Sequence, residues 1–546
     1  MATASENEKE RRSMTDDEKG GDAGPQEIED NKHSDELQKV DTTASRATKK
    51  SVLSRIASQV KAAEETKTLN TVVPLSELDR GIVGWDSHDD LTFPVNFTNR
   101  RKWLCVTYLG IITFLSPLSS SILAPAITAV SADFHNTNST LGSFPVSIFL
   151  LGYAIGPLIL SPLSEMYGRA SVLSCANVFF CVWHIAGALS PSLNALIVFR
   201  FLTGVGGSGC MTLGPAVIGD LFPVAERGKA LSGLTVGPLI GPTLGPLIGA
   251  FIVGSLSWRW CLWIVFIPAT LVTAALAIIL PETCHKVLID RKIKRLGKEL
   301  ERDDLTNCYD PPGVARLSPT RNLLIGFTRP LKMLILAPVI LLMSIYVSFN
   351  YGTMYLMYNE IPVTFMDQYH FSLGITGLVY LSQGFGFLVG LWSFSLLSDR
   401  LVVRLTKNNN GIYIPEMRLN LIIYYACIIP ITFFVFGWTA YYKKHWIAPI
   451  LSFIPFGVGV IGVYLPVQAY IIDAYPTYAA SGLAGFVVLR SVIAAFLPLA
   501  GPALFGSLGL GWGASVLGFI CVALIPVVVF VYLYGTKLRE KFPVKL

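Results

Sequence analysis

The sequence predicts an all-α polytopic membrane protein, with twelve transmembrane helices in two pseudo-symmetric six-helix bundles. Of its 546 residues, 52% are hydrophobic and only 15% are charged, whereas soluble chains carry about 25% charged residues. Twelve apolar stretches reach the roughly 20 residues that a spanning helix needs, and their longest connection divides them six and six. This pattern excludes a soluble enzyme, a secreted disulfide scaffold and a nucleic-acid-binding domain, despite the net charge of +6.

The chain begins with a polar segment, residues 1–102, of which 36 are charged. Its only aromatic residues are Trp85, Phe93 and Phe97, so we expect too little apolar burial to offset the entropy of ordering. The segment is therefore predicted to be a disordered cytosolic tail. We expect four further parts: a first bundle over 103–280, a cytosolic central loop over 281–332, a second bundle over 333–535 and a cytosolic tail over 536–546.

The spans and their flanking charges predict the orientation of the chain. Beyond residue 102, the loops and tail on one side hold 22 Lys and Arg residues, against three on the other. Positively charged loops stay in the cytosol, so both termini are predicted to be cytosolic. Asn138, in Asn138-Ser139-Thr140, then faces outside and is a candidate glycosylation site. The predicted spans are 103–128, 142–162, 171–190, 194–219, 229–253, 259–280, 333–357, 372–396, 419–439, 447–471, 481–506 and 512–535.

A short pattern recurs in the two halves of the chain. Gly156 and Glu165 have counterparts 234 residues later in Gly390 and Asp399, and Leu-Ser precedes each acid. Both patterns end the second span of their half. Duplicated six-span halves are typical of secondary transporters, so the repeat indicates a carrier.

The fifth span carries five glycines at intervals of four residues, and a proline follows three of them. Glycines let a neighbouring helix approach closely, and internal prolines remove helix hydrogen bonds. We predict a tightly packed, bent helix at the seam between the halves, in preference to ordinary close packing. The residues are Gly233, Gly237, Pro238, Gly241, Pro242, Gly245, Pro246 and Gly249.

Two arginines lie inside predicted spans, Arg200 in the fourth and Arg490 in the eleventh. Such an arginine costs roughly 2.5 kcal/mol or more to insert, so each should face a cavity or a partner. Arginine stays protonated, so Arg200 would affect protons only by tuning a neighbouring acid or water. The competing interpretation is a structural arginine bound by backbone carbonyls. We find no acid clearly in mid-membrane, so the sequence identifies no proton carrier.

A charged loop follows the second span and suggests a gate. Arg169 has a candidate partner in Asp220, at the cytosolic end of the fourth span. The eleventh helix begins near Ser481 on the same side, and its positive end suits an acid such as Glu165. A charged turn that only sets topology is the alternative. The predicted gate residues are Gly156, Glu165, Arg169, Asp220, Asp399 and Arg400.

Aromatic and amide side chains in the second half are candidates for a substrate cavity, because they suit bulky amphipathic ligands. For each residue taken singly, packing is the competing interpretation. The candidates are Asn350, Tyr351, Tyr355, Gln383, Gln468 and Arg490.

Taken together, these motifs resemble fungal multidrug and toxin efflux transporters of the twelve-span drug:proton antiporter family, within the major facilitator superfamily. The likeness covers about residues 84–540. The stripe over 233–249 resembles the antiporter motif of the fifth span. The segment 200–204 resembles a fourth-span motif whose arginine is implicated in proton coupling, and 156–169 resembles the gating loop.

Two positions depart from the family pattern. Ala170 stands where a basic residue is usual, and Ala250 stands where a second glycine often ends the antiporter motif. These departures weaken the inference of a gate more than the family resemblance.

The resemblance implies the major facilitator fold and proton-coupled export of small amphipathic compounds by alternating access. Xenobiotics, antifungals or a self-made secondary-metabolite toxin are the implied substrates, and Arg200 is the implied proton-coupling residue. We expect a plasma-membrane protein that acts as a monomer, with the substrate, protons and the lipid bilayer as its partners. No cofactor, metal, nucleic-acid partner or catalytic residue is expected.

Other functions stay open to different degrees. A polyamine or nutrient carrier of the same fold is the nearest alternative, although the glycine stripe argues against an importer. An ATP-driven pump would need a Gly-x4-Gly-Lys-Ser/Thr phosphate loop, which is absent from the sequence. A membrane enzyme would need a convergent set of His, Asp or Cys, whereas His184 stands alone in its span. A sensor without transport also stays open.

Overall fold

The computed structural model describes residues 74–310 and 318–544, so the predictions for residues 1–73 lie outside the described residues. Nearly all of the described chain is helical. The helices of the first half are α1 (Asn99–Ser121), α2 (Ile127–Asp133), α3 (Ser139–Tyr167), α4 (Arg169–Ala188), α5 (Leu193–Leu221), α6 (Val224–Ser255) and α7 (Trp260–Ile279).

Two further helices and a short strand lie in the central loop: α8 (His285–Leu300), β2 (Thr306–Asn307) and α9 (Pro319–Leu336). A strand β1 (Ile82–Val83) precedes the first bundle. The helices of the second half are α10 (Pro338–Tyr369), α11 (Leu373–Asn408), α12 (Asn420–Tyr441), α13 (Ile447–Ala474), α14 (Ala479–Phe496) and α15 (Gly501–Lys541).

Eleven continuous helical segments of the described chain are long and apolar enough to cross a membrane, and the last has 63 residues. At 1.5 Å per residue it would extend about 95 Å, roughly three times the thickness of the hydrocarbon core. Gly509 interrupts it with φ 70° and ψ 171°, a conformation that glycine adopts without a steric cost. The segment therefore forms two spans, 479–508 and 510–541, and the predicted twelve-helix fold is confirmed.

The helix contacts repeat between the halves. In the first bundle α1 packs on α6 and α7, while α5 packs on α3 and α4. The second bundle repeats these pairs, with α10 on α14 and α15 and with α13 on α11 and α12. The bundles meet along two seams, α6 against α11 and α3 against α14. We call the end that carries α8 the loop face, and the end that carries α2 the opposite face.

The glycine stripe of α6 packs against α1 of its own bundle. A Cβ at Gly245 would lie 2.6 Å from the carbonyl oxygen of Leu118, and one at Gly249 would overlap the carbonyl of Ile122. The predicted placement of this helix at a seam between the halves is confirmed, but the glycines of the stripe face α1 and not the other half. Helix α6 does lie at a seam, but the close approaches there come from α11, at Gly377 and Gly384.

Part of the predicted disordered tail is folded. Strand β1 pairs in parallel with β2, and Val83, Trp85 and Phe93 form a small apolar core with Ile289 of α8. Trp85 Nε1 donates a hydrogen bond to Tyr309 Oη at 3.0 Å. For 74–98 the prediction of disorder is wrong, because these aromatic residues share a core with the central loop. We call 74–98 together with 282–310 the brace.

Candidate substrate and gating sites

Arg200 is buried among oxygen atoms of neighbouring helices. Its Nε donates to Pro145 O at 3.0 Å, and its Nη2 donates to Ser119 O at 2.7 Å and Ser120 O at 3.2 Å. Its Nη1 donates to Ser119 Oγ at 3.1 Å. No carboxylate among residues 74–310 and 318–544 forms an ion pair with it. This geometry matches the structural interpretation of Arg200, in which carbonyls satisfy the guanidinium.

The surroundings of Arg200 tie four helices together. Its guanidinium carbon lies 4.5 Å from the centroid of the Phe149 ring. Ser119 Oγ is 2.8 Å from His184 Nε2, and His184 Nδ1 is 3.0 Å from Phe180 O. Arg200 thus joins α1, α3, α4 and α5, and His184 is a packing residue with both ring nitrogens paired.

A chain of tyrosines begins where the bundles meet. Ser120 Oγ of α1 and Tyr355 Oη of α10 are 2.8 Å apart. The ring centroids of Tyr351 and Tyr355 are 5.3 Å apart, those of Tyr355 and Tyr358 are 5.4 Å apart, and those of Tyr358 and Tyr380 are 5.6 Å apart. Aromatic pairs prefer such tilted and edge-to-face contacts, so the four tyrosines form a continuous row on the second bundle, which we call the aromatic wall.

Arg490 ends this wall. Its guanidinium carbon lies 4.4 Å from the ring centroid of Tyr351 and 5.1 Å from that of Tyr464. Its Nε is buried without a hydrogen-bond partner. Gln468 Nε2 donates to Tyr464 Oη at 2.7 Å. We call Tyr351, Tyr355, Tyr358, Tyr380, Tyr464 and Arg490 the central cluster.

Two other cavity candidates differ from each other. Gln383, one turn beyond Tyr380, is fully buried and neither polar atom of its amide has a hydrogen-bond partner. A buried amide without partners costs about 1–3 kcal/mol, so a ligand would gain by supplying them. Asn350 instead donates to Tyr346 O of its own helix at 2.8 Å, which is a packing role.

The first-half gate contacts form at the loop face. Arg169 Nε lies 3.4 Å from Asp220 Oδ2, and Arg169 Nη1 donates to Ser164 Oγ at 2.6 Å. The pairing of Arg169 with Asp220 that the sequence predicts is present. Gly156 contributes by packing, since a Cβ there would lie 2.9 Å from the carbonyl oxygen of Val205 in α5.

Glu282, which sequence reasoning missed, caps the start of α4. Its Oε1 accepts hydrogen bonds from the backbone N–H of Arg169 at 2.7 Å, and from those of Thr283 and Cys284 at 3.0 Å. A carboxylate suits a helix N-terminus because the unpaired N–H groups there are donors. A Cβ at Gly168 would overlap this carboxylate, and Gly168 has φ 104°. In the sequence, the only sign of this contact is the position of Glu282, an acid just after the sixth predicted span.

His285 joins the gate to the brace. Its Nε2 is 3.1 Å from Asp220 O, and its ring centroid is 5.1 Å from that of Phe93 and 6.1 Å from that of Trp85. Burial lowers the pKa of His285 below its usual value, although the nearby Asp220 partly opposes this effect. The gate loop and the brace therefore share one packed unit.

Glu165 is exposed and lines a loop-face cavity of about 790 Å³. Ala480 and Ser481, in the first turn of α14, line the same cavity. The structure thus places Glu165 on the same cavity as the first turn of α14, the helix whose positive end was predicted to suit this acid.

The gate of the second half involves the predicted Asp399 together with two residues that were not predicted. Arg418 forms an ion pair with Asp473 at the end of α13. Asp399 Oδ1 lies 4.0 Å from Arg418 Nη1, which is a long ion pair, and the Asp399 side chain is 86% exposed. Arg400 is also exposed. Asp473 ends the tenth span as Asp220 ends the fourth, and this internal repeat was the signal that could have located it.

These features lie within a chain that a family model recognises. A model described as Major Facilitator Superfamily matches residues 109–498. The chain belongs to the major facilitator superfamily. It is therefore a membrane transporter and not an enzyme, which agrees with the resemblance found in the sequence.

Fungal proteins are similar to this major facilitator chain over most of its length. It is 43% identical to "MFS transporter cpaT" of Aspergillus oryzae, over 84% of this chain and 91% of the relative. It is 39% identical to "MFS-type transporter atr4" of Stereocaulon alpinum, over 96% and 93%. It is 38% identical to "Efflux pump radE" of Floropilus chiversii, over 86% and 87%.

Solved structures show the same fold at low identity. The xylose transporter XylE from E. coli, in a partially occluded inward-open conformation, matches with a TM-score of 0.59 and 17% identity, covering 80% of this chain and 98% of that one. A bacterial homologue of the human lysosomal transporter Spinster matches with a TM-score of 0.56 and 15% identity, covering 82% and 98%. The likeness confirms the major facilitator fold.

Two residues at the opposite face complete the comparison with the sequence. Asn138 is exposed and accepts a hydrogen bond from Leu141 N at 3.2 Å, so it caps α3. Glu360 lies inside α10, with only 9% of its surface exposed. The predicted seventh span ended at residue 357, so this buried acid of the major facilitator chain was missed.

Proposed function

We propose that this transporter exports small amphipathic compounds against proton entry, by alternating access of a site between its bundles. The loop face lies in the cytosol, both termini are cytosolic, and the protein acts as a monomer in the fungal plasma membrane, with Asn138 glycosylated. Export needs no cofactor, because the proton gradient drives it. The 22 basic residues on the loop-face side, against three on the other, support this orientation.

The central cluster is the observation that carries this proposal. It holds four tyrosines, three of them fully buried, in a row of tilted and edge-to-face contacts, together with unpaired buried donors at Arg490 and Gln383. Binding sites for small molecules combine an apolar lining with a few polar groups that fix orientation. An amphipathic compound with one polar or anionic group matches this lining.

The position of the cluster supports alternating access. Its first contact, between Ser120 and Tyr355, crosses from one bundle to the other. Rocking of the bundles would break this contact and open the aromatic wall to one face. Transporters of this kind bind their substrates near the interface of their repeats.

The direction of transport is supported by the relative named an efflux pump, and proton coupling by the resemblance to drug:proton antiporters. Xenobiotics, antifungals and self-made toxins all suit the central cluster. A cationic nutrient such as a polyamine is the second candidate, because Glu360 and Asp367 line a cavity at the opposite face.

The test uses yeast that lacks its own efflux pumps and expresses the full chain. Cells are loaded with uncharged Nile red or cationic rhodamine 6G, and retention is measured with and without a protonophore. Export that the protonophore abolishes, and that Arg490→Ala abolishes at equal surface expression, would support the proposal. Export of neither dye, together with polyamine uptake by the same cells, would replace the proposal with the cation carrier.

A further inference from the structure

A cavity of about 630 Å³ opens at the opposite face, between the bundles. Its walls come from the second half of α10, from the chain around α2 and the start of α3, and from the start of α15. The orientation proposed above places this cavity outside the cell. In that orientation, the side chains of its lining are reached from outside the cell.

Glu360 is the buried acid of this cavity. It is one of two charged residues among the described residues of the lining, and the other, Asp367, is exposed. No basic side chain within residues 74–310 and 318–544 pairs with Glu360. Arg259, a basic residue of the first bundle at this face, pairs with Asp133 at 2.6 Å. The cavity therefore carries negative charge without a compensating cation.

The remaining titratable groups of the opposite face lie outside the lining. These groups are His135, Tyr369, His370, Tyr441, Tyr442, Lys443, Lys444 and His445. Glu360 thus shares its cavity with polar side chains and with no basic side chain among the described residues.

Unpaired polar atoms beside Glu360 give a second observation. Thr364, one turn further along α10, is 1% exposed and its hydroxyl has no hydrogen-bond partner. Both polar atoms of the Asn359 amide are also unpaired. Both residues line the same cavity. Packed proteins leave few such atoms unpaired, so these groups are available to water or to a protonated carboxyl.

A carboxylate within a spanning helix is costly while charged, and ionisable residues there mark ion or proton pathways. Protonation removes that charge, so the acid can cross a dry state of the transporter only in its neutral form. We propose that Glu360 accepts the proton that enters from the outer side, with the opposite-face cavity as its entrance. The proton passes from cavity water to a carboxylate oxygen of Glu360, and returns to water when the opposite state hydrates the site. This inference rests on the proposed proton-driven export.

The protonation itself can be observed without a substrate. Infrared difference spectra of the purified full chain in lipid nanodiscs, between acidic and alkaline buffer, report carboxyl groups shielded from water. A shielded carboxyl band is expected in the wild type and in the matched control Glu540→Gln, at an exposed position outside the cavity, and its loss is expected in Glu360→Gln. A band that persists unchanged in Glu360→Gln would overturn the assignment.

Transport then separates a proton site from a merely structural acid. Full-length protein in phosphatidylcholine vesicles is tested with Nile red, first under an imposed pH gradient and then in exchange at equal pH. Glu360→Gln should lose gradient-driven accumulation and keep exchange, Glu360→Asp should restore part of the accumulation, and Glu540→Gln, at an exposed position outside the cavity, should keep both. Loss of exchange as well as accumulation would show a structural role and overturn the proposal.

Rhodamine 6G distinguishes proton binding from attraction of a cationic substrate. If Glu360→Gln loses only rhodamine 6G and still accumulates Nile red under the gradient, the acid attracts cations and the proposal is overturned. If the wild type itself ignores the gradient with both dyes, proton-driven export fails and this inference falls with it. If the wild type responds to the gradient and Glu360→Gln responds equally, proton-driven export stands and the inference about Glu360 alone fails.

Discussion

The two bundles share one pattern of helix contacts but differ in how well their buried polar groups are paired. In the described chain, six unpaired buried side-chain atoms lie in residues 74–310 and twelve lie in residues 318–544. Those of the second half include atoms of Tyr358, Gln383 and Arg490, which belong to or adjoin the central cluster. We call the first bundle the frame, because fewer of its buried polar atoms lack hydrogen-bond partners. The second bundle has more buried polar atoms without partners, and these can bind different groups in different states of the transporter.

The buried arginines show this difference most directly. Arg200 donates to three carbonyl oxygens and one hydroxyl from α1 and α3. Arg490 lies between the rings of Tyr351 and Tyr464, with its Nε unpaired. The same residue type therefore fixes the frame in one bundle and is available to a ligand in the other.

The largest effect is expected where the frame is tightest. Gly249→Ala would place a Cβ on the carbonyl of Ile122, which is backbone and cannot turn away. Overpacking costs about 1–3 kcal/mol and more where the backbone must move, so we expect loss of folded protein. Size-exclusion chromatography of detergent-solubilised chain measures the yield.

Gly233→Ala is the matched control for this variant. Gly233 belongs to the same stripe, but a Cβ there has no neighbouring atom within 4 Å. Its yield should equal that of the wild type. Equal yields for both variants would show that the stripe is not a packing surface. The interpretation of the first bundle as a rigid frame would then be wrong.

Arg200→Lys should have the next largest effect. A lysine ammonium cannot reproduce the planar set of donors, so carbonyls of Pro145 and Ser119 would lose partners. At about 0.6 kcal/mol or more for each buried polar contact in a membrane protein, we expect a loss of roughly 2 kcal/mol. The thermal midpoint of the purified protein should fall measurably. An unchanged midpoint with abolished transport would instead favour a proton-coupling role for Arg200.

Arg490→Lys should affect transport rather than stability. The guanidinium contacts the rings of two tyrosines and lacks a hydrogen-bond partner at Nε. No carbonyl therefore loses a hydrogen bond from Nε when the guanidinium is replaced. We expect a thermal midpoint close to that of the wild type and Nile red export reduced about tenfold, equivalent to about 1.4 kcal/mol. A fall in the midpoint as large as that of Arg200→Lys would remove the contrast between the bundles.

Composition and hydropathy were sufficient to predict the spans and the two intramembrane arginines, but not how each arginine is paired. The partners of Arg200 are carbonyls of Pro145 and Ser119, 55 and 81 positions away. Every residue carries a carbonyl, so no sequence pattern marks the ones that converge. Which arginine keeps an unpaired donor depends on helix packing alone.

Two other features escaped prediction because hydropathy is averaged along the chain. The polar pair Asn359 and Glu360 lowers the local average, so the predicted span ended early, although α10 continues to Tyr369. In the brace, Trp85 and Ile289 share a core across about two hundred residues. Each segment looks too polar to fold when it is considered alone.

The smallest expected effect concerns the brace, which packs against the gate loop of the first bundle. Because burial lowers the pKa of His285, the unfolded segment binds more protons than the folded one below the unfolded value of about 6.5. The stability of the brace is therefore full above that pH and falls as the pH drops through it.

Hydrogen exchange of the backbone around Trp85, in the full chain, should accelerate on acidification in the wild type. His285→Gln should remove most of this pH dependence, whereas His88→Gln, at an exposed position of the same segment, should preserve it. An unchanged pH dependence in His285→Gln would mean that His285 does not link the brace to the gate.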